Sequence, residues 1–203
     1  MKLPVLPTLL VALACAAMVA LGLWQLRRAD EKSAMMTRYA AAASQPEMAF
    51  PLMPGGEDPL FRKAAGLCLE PLLPRIEGGK NARGVSGWRH IVTCRTGAEG
   101  PGMAVDIGWS KDFKAKPNWK GGDVRGVIAE MPSHASLFTR MLGKAPPPTL
   151  LLIAAQPAPG LQPSGPPRLE DVPNNHFGYA VQWFIFAGIA ALIYGIALRR
   201  RRA

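Results

Sequence analysis

Apolar positions gather at the two ends of the chain and thin out between them. Leu3 to Leu26 carries no charged side chain, and Gly178 to Leu198 has Gln182 as its one clearly polar residue. At about 1.5 Å of rise per residue, a helix over either run covers the ~30 Å hydrocarbon core of a bilayer. Lipid offers backbone amides no partner, so helix is the expected form of both. Pro4 and Pro7 fall in the first turns, where a missing N–H matters least. A cleaved leader is the competing reading of the first run. Against it, the run continues well past Cys15, and Ala12 stands where a lipoprotein signal places a bulkier aliphatic residue.

Between the runs the pattern changes. Residues 27–45 are rich in Ala, Met, Glu and Lys and extend the first helix out of the membrane until Pro46 stops it. A Pro/Gly-rich linker follows over 46–60. Five short strand-like runs then recur between Gly/Pro turns: Phe61 to Leu69, Trp88 to Thr96, Gly102 to Trp109, Asp123 to Glu130 and Thr149 to Ala155. Ser133 is read as the cap of a short helix to Leu142, with Gly143 as its stop, and Gln156 to Pro173 as an extended, Pro-rich segment. The fold class expected is a membrane protein: two transmembrane α-helices (3–26 and 178–198) flanking a small β-rich (α+β) extracytoplasmic domain over 61–173, with a basic tail at 199–203.

Charge sets the orientation. The chain has a net charge of +10, and Arg199 to Arg202 are consecutive. Such a cluster resists translocation, so the tail is expected in the cytoplasm, the first residues on the same side, and the middle domain across the membrane. Arg27 and Arg28 oppose this locally, offset by Asp30 and Glu31. The expected location is the bacterial inner membrane, multi-pass, with the central domain periplasmic, or the mitochondrial inner membrane in a eukaryote. The domain's basic excess is mild and forms no stripe interleaved with aromatics, so no nucleic-acid partner is expected.

Little in the middle domain suggests catalysis. Gly84-Val-Ser-Gly87 lacks a P-loop lysine and the spacing of a nucleophile elbow. His90 is read as a strand histidine and His134 as an exposed one. Cys15 is read as an inert apolar residue. Cys68 and Cys94 are read first as two free buried thiols, with a disulfide in an oxidising compartment, or a metal site, as alternatives. No enzyme is expected.

The membrane boundary is richer. His176, Tyr179 and Trp183 stand at i, i+3 and i+7 at the start of the second run, along one helix face. Tyr and Trp suit the headgroup zone as plain anchors. An imidazole there is also a ready axial ligand for haem iron. Trp24, Gln25 and Arg28 close the first run, and two-span topology brings them to the same membrane surface. Gly22 would allow close helix approach, and Arg27 or Arg28 would suit an anionic group.

These two clusters carry a family resemblance. Gly22, Trp24, Gln25 and Arg28, with Lys32 beyond, resemble the LGxWQxxR signature of the surfeit locus protein 1 family of cytochrome c oxidase assembly factors. Asn174, Asn175, His176, Tyr179, Ala180, Trp183 and Phe184 resemble its NNHxxYAxxWF segment. Gly84 to Thr93, Val105 to Trp109 and Val124 to Ile128 resemble its internal strands more loosely. Ile107 stands where the family has Arg, and no Trp-Phe-x-x-Asp segment precedes the last strand. The resemblance implies a chaperone that assists insertion or retention of haem a in the catalytic subunit of a haem–copper oxidase. His176 would be the ligand to haem iron, and Tyr179, Trp183, Trp24, Gln25 and Arg28 would complete the haem-binding residues. The implied partners are that subunit, haem a synthase and the membrane. Two other readings share the topology: a tethered scaffold for an oxidase intermediate that binds no haem, and an anchored enzyme or sensor using His90, Cys68 or Cys94.

Overall fold

The computed structural model describes residues 4–53, 58–98, 102–134, 136–144, 147–169 and 174–200. The chain divides into two compact units: one built from residues 1–37 and 172–203, the other from Arg38–Asp171.

The first unit is a pair of antiparallel helices. Helix α1 spans Val5–Ser44 and helix α3 spans His176–Arg200. Both are long and apolar enough to cross a membrane. The 40 residues of α1 amount to about 60 Å, roughly twice the hydrocarbon core, so the helix outruns the lipid as its polar second half requires. Over the first half of α1 a run of shielded positions, Thr8, Val11, Cys15, Met18, Gly22, Gln25 and Ala29, is spaced alternately three and four apart. That 3.5-residue period is the seam of two helices coiled side by side. Ala180 and Ala187 are its buried residues on α3. Contacts repeat along its length: Thr8 with Tyr194 at 2.6 Å, Cys15 Sγ with the Ala187 carbonyl at 3.6 Å, and Gln25 with His176 at 2.7 Å. A Cβ on Gly22 would lie 2.6 Å from the Phe184 ring, so the helices meet where only glycine fits. The large apolar side chains off the seam, Leu9, Leu13, Ile185 and Leu192 among them, are exposed, as lipid-facing residues must be.

The second unit is a mixed seven-stranded sheet in the order β1-β2-β6-β7-β5-β4-β3. The strands are β1 (Met48–Ala49), β2 (Lys63–Cys68), β3 (Glu70–Lys80), β4 (Ser86–Arg95), β5 (Met103–Ser110), β6 (Gly122–Glu130) and β7 (Leu150–Ala154). Among the described residues only β1–β2 and β5–β7 pair in parallel. β2 and β3 are one chain segment bent at Leu69. Its first half pairs with β6 and its second half with β4, which closes the sheet on itself. The Leu69 N–H donates to the Arg95 carbonyl at 2.9 Å across the closure. The result is a small five-stranded barrel of the OB type, with a bent first strand and a parallel β5–β7 pair.

Inside it lie Val92, Met103, Val105, Ile107, Val124, Ile128 and Leu152, all buried. A second buried cluster, Ile91, Ala104, Ala129, Leu151 and Ile153, occupies the other face. Gly126 of β6 has no room for a side chain, because a Cβ there would collide with the Ile153 carbonyl oxygen.

Four sequence expectations change. Cys68 and Cys94 are not free thiols: they form a disulfide, with Cα atoms 5.1 Å apart. The barrel closure is what brings the ends of β2 and β4 together. The short helix α2 runs Leu137–Met141 and is capped by Ser136, whose Oγ accepts the Thr139 N–H at 3.1 Å, so Ser133 lies outside it. Gly143, at φ 65°, ends that segment as expected. Strand β3 was masked in the sequence by Pro71, Pro74 and Gly78-Gly79. Prolines are tolerated there because β3 is last in the strand order. His90 is buried at 5% exposure, where a strand histidine would ordinarily be half-buried or solvent-facing. Leu3, the linker tip at 54–57, the domain's last residues at 170–173 and the tail at 201–203 lie outside the described residues.

Candidate functional site

The boundary cluster is built by helix pairing. His176 is the first residue of α3, and Gln25 sits on the seam of α1. The His176 Nδ1 lies 2.7 Å from Gln25 Oε1. An amide oxygen only accepts, so Nδ1 carries the proton, and in a neutral imidazole the lone pair is then on Nε2. One turn further along α1, Asn174 Nδ2 donates to the Ala29 carbonyl at 3.5 Å and to Ser33 Oγ at 3.3 Å. Asn174 Oδ1 is buried and has no hydrogen-bond partner among the described residues. The two sequence clusters therefore meet through Gln25, His176 and Asn174.

Their other members point elsewhere. Arg28 pairs with Glu31 at 2.6 Å, and both are exposed. Trp24 and Tyr179 are 55% and 50% exposed and lie off the seam. Trp183 is partly shielded and packs edge-on to Phe186, with ring centroids 6.3 Å apart. This is a polar hydrogen-bonded core with an open aromatic rim.

The barrel holds a polar group that sequence reading missed. Asp106 is fully buried. Its carboxylate takes Arg89 Nε at 2.6 Å, Ser164 Oγ at 2.8 Å and the Gly108 N–H at 3.0 Å. Burial pushes the Asp106 carboxyl above the ordinary carboxylate range, and Arg89, Ser164 and Gly108 pull against that rise. Its one signal in the sequence is a lone acid inside the apolar run Met103–Trp109.

His90 bonds Ser110 Oγ at 2.9 Å. Burial lowers its imidazole below the usual range, partly offset by Asp106. His134 is exposed as expected and meets Glu77 at 2.9 Å. Among the described residues no three His, Cys, Asp or Glu side chains gather as a metal site. Ile107 is buried and lines a cleft of about 440 Å³ with Trp119, Val124 and Ala158.

Two apolar helices, long enough to span a membrane, flank a disulfide-bonded β-barrel, and a histidine–glutamine pair joins the helices. That defines a two-span membrane protein with an accessory domain. The model of the SURF1 family matches residues 12–188, a stretch that includes both boundary clusters and the whole barrel, and the chain belongs to that family, whose members act in cytochrome c oxidase assembly. No curated protein matches the chain in sequence.

Proposed function

We propose that this chain assists insertion or retention of haem a in the catalytic subunit of a haem–copper cytochrome c oxidase, with His176 as the ligand to haem iron. The observation that carries the reading is the hydrogen bond from His176 Nδ1 to Gln25. A histidine that ligates a metal through one ring nitrogen characteristically donates the other N–H to a fixed acceptor, which sets tautomer and ring orientation. His176 has that arrangement at the end of a membrane helix.

The residues present fit the group. Haem supplies an iron that takes a nitrogen donor, an apolar macrocycle and two carboxylates. His176 Nε2 offers the donor. Trp24, Tyr179 and Trp183 offer apolar and aromatic surface at the rim. Arg28 offers a cation, and its solvent-exposed pairing with Glu31 is weak enough to exchange. Gln25 orients and Gly22 keeps the helices close enough for it to do so.

Two features support a domain outside the cytoplasm. The Arg199–Arg200 end of α3 begins the basic cluster that favours the cytoplasmic side, and the Cys68–Cys94 disulfide suits an oxidising compartment such as the periplasm. The bacterial inner membrane is the matching location.

Co-purification with the oxidase catalytic subunit, with haem a quantified on that subunit, tests the role. In a strain lacking this chain the subunit should carry less haem a, restored by the wild-type chain and not by His176→Ala. Full haem a content in the deletion strain would overturn the role. Restoration by His176→Ala would instead favour a scaffold that holds an intermediate without binding haem.

A further inference from the structure

The loop between β5 and β6 holds Lys111, Lys114, Lys116 and Lys120, all exposed. Its one acid, Asp112, accepts the Lys114 backbone N–H at 2.9 Å. Phe113 in the same loop is 52% exposed, and its ring meets that of Trp88, itself 38% exposed, at a centroid distance of 5.7 Å. Further cations crowd the same end. Lys111 Nζ reaches the Ser86 carbonyl at 3.4 Å, and Lys80 faces Ser86 across the β3–β4 ladder. Arg168 donates to the Ala82 carbonyl at 2.9 Å in the β3–β4 turn.

We infer that this end of the barrel, the lysine loop with the Trp88–Phe113 pair, is a docking surface for an anionic lipid bilayer, the one in which the chain's own helices are set. The two halves of the patch fit two layers of one partner. Ammonium groups on flexible stems reach lipid phosphates, while aromatic rings settle at the boundary of headgroup and hydrocarbon. An acidic protein would answer the lysines but gives no specific reason for an exposed aromatic pair among them.

Tethering supplies the second argument. His176, the start of membrane helix α3, follows Arg168 by eight residues. Chain length alone keeps the two within about 29 Å, so the bilayer is present at high effective concentration. Juxtamembrane lysines then gain from anionic lipid within a Debye length. The inference is independent of haem binding.

The test uses the full chain in nanodiscs. With Cys15→Ala in the background, an environment-sensitive fluorophore on Asn118→Cys reports contact with lipids that carry a headgroup nitroxide quencher. Quenching should be about twofold or more stronger in phosphatidylglycerol-containing discs than in phosphatidylcholine discs. It should fall in about 1 M salt, where the Debye length is ~3 Å. The triple variant Lys111→Glu, Lys114→Glu, Lys116→Glu should lose it, and the triple Lys→Arg variant at the same positions should keep it. Equal quenching in both disc types, or quenching that survives charge reversal, would overturn the inference. So would absence of quenching accompanied by loss of a co-purifying acidic protein in the reversed variant, which would assign the patch to a protein partner.

Discussion

Buried polar residues carry the sharpest consequences at the scale of single side chains. Asp106 and Arg89 neutralise each other where water is excluded, with Arg89 Nη2 lacking a hydrogen-bond partner among the described residues. Removing one charge strands the other, whereas removing both does not. Asp106→Ala should therefore cost about 3–5 kcal/mol, seen as a lowered unfolding transition of the barrel. The double replacement Arg89→Leu with Asp106→Leu should cost clearly less. Equal losses in the two would refute the pairing argument.

His90 makes the barrel pH-sensitive. Its folded-state pKa lies below the unfolded value of about 6.5. Below that value the unfolded chain takes up a proton that the folded one resists. Stability is thus full above pH ~6.5 and falls as pH drops toward the lowered folded pKa. Asp106, whose folded pKa is raised, works in the opposite sense as pH rises above its ordinary carboxylate range. The contribution of His90 is isolated by difference: His90→Gln should flatten the slope just below neutrality in melts recorded across that window, and an unchanged slope would remove His90 as its source.

Among the elements, the helix pair depends on one small residue. Gly22 lets α1 approach the Phe184 ring, and the Gln25–His176 bond lies one turn further on. Gly22→Val should push the helices apart at that level, which cysteine cross-linking between positions 25 and 176 would register as a severalfold lower yield. An undiminished yield would show that the seam tolerates bulk there.

Elements also show what the sequence made legible. Both spans, the helical extension to Ser44 and five strand runs followed from apolar patterning and proline stops. Strand β3 did not, because its Pro71 and Pro74 read as breakers; only its place beside a single neighbour, which depends on the whole sheet, makes them acceptable. The disulfide stood only as an alternative to free thiols for a similar reason: Cys68 and Cys94 are neighbours because the sheet closes. The cap of α2 moved from Ser133 to Ser136 because both serines satisfy the same local rule and tertiary context chose between them. In the site, the motif residues were readable. That Gln25 rather than Arg28 meets His176 was not, since it depends on seam phase.

For the whole molecule, the architecture is a helical pair that holds one histidine against a glutamine, and a barrel joined to it by the chain at both ends. Family membership places it in cytochrome c oxidase assembly, and the proposed haem role gathers the boundary residues into one purpose. The most direct measurement is the absorption spectrum of the full-length chain purified after co-expression with haem a synthesis, compared with His176→Ala at equal protein concentration. The account predicts a haem spectrum in the wild type that the variant lacks; an identical spectrum in both, or none in either, would contradict it.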